Sequence, residues 1–126
     1  MARTKPLISI VDDDESVREA AEGLMKSLGY NAVAFASAED FLRSLELSQT
    51  ACLIADINMP GMSGLDLHRR LSASGPRIPT ILITAYPDDR VHDSALRDGV
   101  TCYLTKPFEE SELLSCVAAA MSPGDC

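Results

Sequence analysis

The chain has 126 residues, 46% of them hydrophobic, and a net charge of −8 from 11 Lys and Arg against 19 Asp and Glu. That length suits one domain burying about two thirds of its unfolded surface, and the acidic balance argues against direct grip on a nucleic-acid backbone, which needs clustered Lys and Arg. No apolar stretch approaches the roughly 20 residues that span a bilayer, and Met1-Ala2-Arg3-Thr4-Lys5-Pro6 lacks the apolar core of a secretory signal.

In chain order, strands and helices alternate. Leu7–Val11 is an unbroken apolar run and reads as a strand. Glu15–Leu28 places Val17, Ala20, Ala21, Leu24, Met25 and Leu28 at helical spacing, with Asp14 as its cap and Gly29 as its stop. Asn31–Phe35 is a second strand. Ser37 caps a helix whose apolar face is Phe41, Leu42 and Leu45. Ala51–Ala55 is a third strand ending at Asp56, and Ser63 caps a helix to about Ala73 that the Pro76–Pro79 segment ends. Pro79–Ile83 is a fourth strand ending at Thr84. The polar segment Asp88–Asp98, stopped by Gly99, has few apolar positions (Val91, Ala95, Leu96) and is expected to be the most loosely attached helix. Thr101–Leu104 is a fifth strand, followed by Lys106-Pro107-Phe108 and a last helix through Leu113, Leu114, Val117 and Ala118. Ser122-Pro123-Gly124-Asp125 reads as a breaker and tail.

Strands that appear as near-continuous apolar runs between helices argue for a parallel sheet covered on both faces. In such open sheets ligands sit beyond the carboxyl ends of the strands, where strand order reverses. Asp12 and Asp13 follow the first strand, Asp56 ends the third, Thr84 the fourth, and Lys106 follows the fifth. The intervals between them accommodate whole β/α units, so every one of these groups returns to the same edge. Taken singly, each has a bland alternative: an Asp pair caps helices, a strand-end Thr is often a turn residue, and Lys-Pro is often a loop.

As a set, with the turn Asp56-Ile57-Asn58-Met59-Pro60-Gly61-Met62-Ser63-Gly64 and with Lys106-Pro107-Phe108, they resemble the receiver domain of bacterial two-component response regulators over about Leu7 to Met121. The Met59–Leu65 loop is similar to that of the FixJ-type transcriptional regulators. The resemblance implies a doubly wound (βα)5, flavodoxin-like three-layer α/β sandwich with strand order 2-1-3-4-5. It also implies a receiver domain over residues 1–121, with 122–126 a tail or the start of a linker.

The chemistry implied is a Mg²⁺-dependent transfer of a phosphoryl group from a phosphohistidine, on a sensor histidine kinase or a histidine phosphotransfer protein, to Asp56. Clustered carboxylates call for a cation, since two unit charges about 4 Å apart repel by about 4 kcal/mol at an effective dielectric near 20. Oxygen ligands without His or Cys suit Mg²⁺, with Mn²⁺ able to substitute. By resemblance Asp13 and Asp56 ligate directly, Asn58 through its backbone carbonyl, and Asp12 through water. Lys106 and Thr84 bind phosphoryl oxygens, Ala85 leaves room for the group, and Tyr86 is expected to shield it from water. Thr84 and Tyr103 form the switch. The domain promotes its own phosphorylation and autodephosphorylation rather than acting as a conventional enzyme. Its partners would be the phosphodonor and, on phosphorylation, a second copy docked through the face of the fourth helix, fifth strand and fifth helix.

Two rivals are disfavoured by the residues present. A haloacid-dehalogenase phosphatase needs a second acid two positions past its nucleophile, where this chain has Asn58. A flavodoxin-like FMN binder needs a Ser/Thr/Gly-rich loop after the first strand, where this chain has Asp12-Asp13-Asp14. His68 and His92 occupy no motif position and read as surface helix residues. Cys52, Cys102, Cys116 and Cys126 form no C-x-x-C pair and read, except for Cys126, as small buried hydrophobes in a reducing cytoplasm.

Overall fold

In the computed structural model, which describes residues 6–75 and 77–121, the apolar runs form parallel strands β1 (Leu7–Val11), β2 (Asn31–Phe35), β3 (Thr50–Asp56), β4 (Thr80–Thr84) and β5 (Cys102–Thr105). They lie side by side as β2-β1-β3-β4-β5. Helices α1 (Glu15–Ser27), α2 (Ala38–Leu42), α3 (Gly64–Ser74), α4 (Asp89–Arg97) and α5 (Glu110–Met121) connect and cover them. The flavodoxin-like class and the 2-1-3-4-5 order are as the resemblance implied. The expected breaker at Pro76, the tail 122–126 and Cys126 lie outside the described residues.

Side-chain alternation along each strand builds two cores. Val11, Leu53, Ala55 and Leu82 face Phe41, Leu65, Leu67, Leu71 and Ala95 of α2, α3 and α4. Ile8, Ile10, Cys52, Ile54, Ile81 and Ile83 face Ala21, Met25, Leu113, Cys116 and Val117 of α1 and α5. All of these are 8% exposed or less. A strand buried on both sides has no polar face to display, which is why β1, β3 and β4 read as continuous apolar runs.

The helix starts follow the local chemistry. Asp14 accepts from the Ser16 and Val17 N–H groups, Ser37 from Asp40, and Asp88 from Arg90 and Val91. Ser63 and Asp66 form a reciprocal capping box. Gly29 and Gly99 end their helices at φ +95° and +88°.

Three expectations need correction. Leu45 does not extend the apolar face of α2: the helix ends at Leu42 and the chain tightens into a 3₁₀ turn over Leu45–Gln49, leaving Leu45 86% exposed while Leu47 packs inward. Leu28 caps α1 instead of packing and is 45% exposed. His68 is no surface residue: α3 turns it onto the buried side with Leu67 and Leu71, 6% exposed. Burial lowers its pKa, opposed by Asp98 and reinforced by Arg69. The cysteine reading holds for Cys52 and Cys116, whose buried thiols are pushed up to about 12, while Cys102 is half-buried.

Candidate functional site

From β1 the chain crosses to β2 on one side, and from β3 it proceeds through β4 to β5 on the other, so the carboxyl ends of β1 and β3 flank the reversal point. Register pairs Val11 with Ala55 and Asp56 with Ile83, which sets Asp12 beside Asp56. Oxygens of Asp12, Asp13 and Asp56 all come within 4.8 Å of one another, in a cluster that can hold a metal ion. Asp12 and Asp56 are 2% and 4% exposed, and Asp13 faces solvent.

Lys106 reaches this cluster from the end of β5. Its Nζ donates to Asp56 Oδ2 at 2.9 Å and to Asp12 Oδ2 at 3.4 Å. One ammonium against three carboxylates leaves the pocket net negative. Burial and the charge of Asp56 push the Asp12 pKa up, with the Asp14 N–H and Lys106 working against them. Burial alone would lower Lys106, but its hydrogen bond to Asp56 and the two carboxylate charges outweigh that and raise it.

The oxygen-only donor set, three clustered carboxylates of which two are buried, fits a hard divalent cation.

Close backbone approach shapes the floor. A Cβ on Gly64 would stand 2.6 Å from the Asp56 carbonyl oxygen and 3.2 Å from Leu82 Cδ2, so only glycine lets α3 begin this near the end of β3. Gly61 turns the loop at φ +78°, and its neighbour Met62 donates its N–H to Glu39 Oε2 at 3.4 Å. The Lys106–Pro107 peptide is cis.

Thr84, 1% exposed, closes the site from β4. Its Oγ1 donates to Asn58 Oδ1 at 2.6 Å and accepts the Tyr86 N–H at 3.0 Å. The Ala85 N–H also donates to Asn58 Oδ1, at 3.1 Å, and the Asn58 N–H donates to Asp56 Oδ1 at 2.8 Å. Tyr103 on β5 has its ring 4.6 Å from that of His92, and its buried hydroxyl has no hydrogen-bond partner among the described residues. Tyr86 is 74% exposed.

The strand-end residues singled out in the sequence therefore meet at one edge, except that Tyr103 lies further back along β5, opposite Leu82 in register, and packs against the core on the α4 side. Two contributors escaped sequence reasoning. The Asn58 side chain binds Thr84, a role that its position two after Asp56 does not betray. Arg18 Nη1 donates to the Asp12 carbonyl at 2.8 Å, tying α1 to the end of β1 across six positions that share no helical face.

Beside the site, α1 and the start of α5 enclose a largely apolar groove of about 650 Å³ that includes Val17, Leu24, Phe108 and Leu113, with Lys106 and Ala85 at its inner end.

Comparison with known proteins shows the fold and the family. The chain is 40% identical over 121 residues to the response regulator protein TodT of Pseudomonas putida, covering 96% of this chain and 53% of that protein. It is 40% identical over 119 residues to nodulation protein W of Bradyrhizobium diazoefficiens, covering 94% and 52%. The chain spans about half the length of these curated relatives. Among solved structures, the response regulator StyR superposes with a TM-score of 0.86 at 39% identity, covering 94% of this chain and 60% of that one. FixJ-N superposes with a TM-score of 0.83 at 28% identity, covering 98% and 99%. The response regulator receiver domain family matches residues 8–118, and the chain belongs to that family.

Proposed function

We propose that this domain is a phosphoacceptor in which Asp56 takes a phosphoryl group from the phosphohistidine of a sensor histidine kinase or histidine phosphotransfer protein. The observation that carries this reading is the 2.9 Å bond from Lys106 Nζ to Asp56 Oδ2 inside a cluster of three carboxylates. In the transfer an Asp56 carboxylate oxygen forms the new bond to phosphorus while the donor's N–P bond breaks, and the imidazole keeps that electron pair. Lys106 turns its ammonium from the carboxylate to a phosphoryl oxygen, and Thr84 with nearby N–H groups receives another. Positioning and charge stabilisation of this kind are the protein's whole contribution to such a step.

Mg²⁺, with Mn²⁺ in its place, fits the donor set: Asp13 and Asp56 by carboxylate, Asn58 by backbone carbonyl, Asp12 through water. When bound, the ion neutralises charge on the transferring group. The same residues support autodephosphorylation, so the domain serves its own chemistry without being a conventional enzyme.

The output is a change of surface. Thr84 moves toward the phosphoryl group and Tyr103 responds, remodelling the face of α4, β5 and α5, through which a second copy docks. Moving such a switch from 1:99 to 99:1 takes about 5.5 kcal/mol of differential stabilisation. Relatives named as transcriptional regulatory proteins, FixJ and DctD among them, support transcription as the process controlled. A cytoplasmic setting, where phosphohistidine donors draw on ATP, goes with this reading.

The test is labelling with a small phosphodonor such as acetyl phosphate. Mg²⁺-dependent incorporation that disappears in Asp56→Asn is expected. Label retained in that variant, or uptake unaffected by a chelator, would overturn the assignment.

A further inference from the structure

We propose that the Asn58 carboxamide is a latch: while Asp56 is unmodified it occupies two of the donors that the phosphoryl group needs, Thr84 Oγ–H and the Ala85 N–H. The inference rests on the phosphoacceptor reading and adds to it a residue that sets how readily the site accepts its group.

Proton counting makes the argument. A backbone N–H only donates, so the Asn58 atom facing Ala85 at 3.1 Å must be the amide oxygen. The Tyr86 N–H likewise donates to Thr84 Oγ1 at 3.0 Å. A hydroxyl has one proton, and Thr84 places it on Asn58 Oδ1 at 2.6 Å. In this state Thr84 has no proton left for a phosphoryl oxygen, and neither has Ala85. One neutral oxygen holds the place of an anionic one.

The exchange has a direction. Hydrogen bonds to an ionised acceptor are about twice as strong as neutral ones, so a phosphoryl oxygen displaces the amide oxygen once it is present. The latch also lies next to the event that releases it, because the Asn58 N–H is bonded to Asp56 Oδ1 at 2.8 Å. Thr84 is buried, whereas Asn58 is exposed and can swing into water without opening the core. Apparent affinity for an activating anion is reduced by the fraction of molecules in which both donors are free. Asn58 is therefore a positioning residue acting through Thr84 and Ala85.

Asn58→Ala removes the latch and keeps the backbone carbonyl. In the ligand-free domain the Ala85 amide proton should move upfield in NMR spectra as it loses its acceptor. The beryllofluoride concentration for half-saturation, in Mg²⁺, should fall by about three- to tenfold, the worth of one or two net hydrogen bonds. Asn58→Asp, which keeps an oxygen in that position, should restore the resting Ala85 resonance. An Ala85 resonance unmoved in Asn58→Ala overturns the latch. So does a moved resonance with half-saturation unchanged or raised. The phosphoacceptor reading fails separately, in wild-type protein that takes no label at Asp56, and the ligand-free Ala85 resonance does not depend on that result.

Discussion

Lys106 Nζ donates to Asp56 Oδ2 at 2.9 Å across fifty positions of sequence, joining the ends of two strands that do not touch. β4 lies between them and ends in Thr84, so the long side chain of Lys106 passes over the sheet edge to reach its partner. Truncating it to Lys106→Ala leaves two buried carboxylates without their ammonium, a loss in the range of about 3–5 kcal/mol for breaking a buried pair, discounted here because Lys106 is 22% exposed. Thermal unfolding in chelator should drop accordingly, the deficit should narrow in Mg²⁺, and acetyl phosphate labelling should slow. A deficit unchanged by Mg²⁺ would show that no cation takes over the neutralisation.

Asp12 should be a net cost to the metal-free fold. Its pKa is raised by burial and by the Asp56 charge, so the folded state binds its proton more readily than the unfolded chain does. Its destabilising contribution is present in full above the raised folded value and is relieved as pH falls through it toward 3.8. Asp12→Asn, which keeps an oxygen for the Asp14 N–H, should raise the neutral-pH Tm in chelator by about 4 °C, equivalent to about 1 kcal/mol in a domain of this size. The gain should shrink in acid. A lower Tm at neutral pH would contradict it.

Gly64→Ala should damage the site through the backbone. The added Cβ meets the Asp56 carbonyl oxygen at 2.6 Å, and backbone cannot step aside as a flexible side chain would. Overpacking of this kind costs about 1–3 kcal/mol. Denaturant unfolding should show that loss, and Asp56 labelling should fall further than stability alone requires.

Tyr103→Phe removes a buried hydroxyl that has no hydrogen-bond partner among the described residues. Deleting an unsatisfied polar atom should be neutral or stabilising by up to about 1 kcal/mol in the unphosphorylated protein. Chemical denaturation measures it; a clear destabilisation would mean that the hydroxyl has a partner in solution.

His68 should make stability fall in mild acid. Burial lowers its pKa, so the unfolded chain binds this proton first. Its contribution is fully present above the ordinary value of 6.5 and is lost as pH drops below that value. His68→Leu should flatten the stability profile below the ordinary value of 6.5. An unaltered slope would assign the acid sensitivity elsewhere.

The order of elements was legible along the chain because each local signal has a local cause: Asp14, Ser37, Ser63 and Asp88 cap helices through bonds to residues two or three positions away. The buried strands announced themselves as apolar runs, and their ends marked Asp12, Asp13, Asp56, Thr84 and Lys106, since a polar group just past such a run must lie at the sheet edge. What the chain could not disclose depends on neighbours distant in sequence. Leu45 kept a helical spacing that the 3₁₀ turn then broke, and His68 carried no mark of the core it faces, because burial depends on which helix face meets the sheet. In the sequence Asn58 stood out as the residue that is not a second acid, and only the resemblance offered its backbone carbonyl as an expected ligand. Its side-chain hold on Thr84 and Ala85 exists only because β3 and β4 are adjacent and in register, with Asp56 opposite Ile83, which brings two turns 26 residues apart within hydrogen-bond reach. Local sequence selects the groups; the pairing of strands decides which of them share a proton.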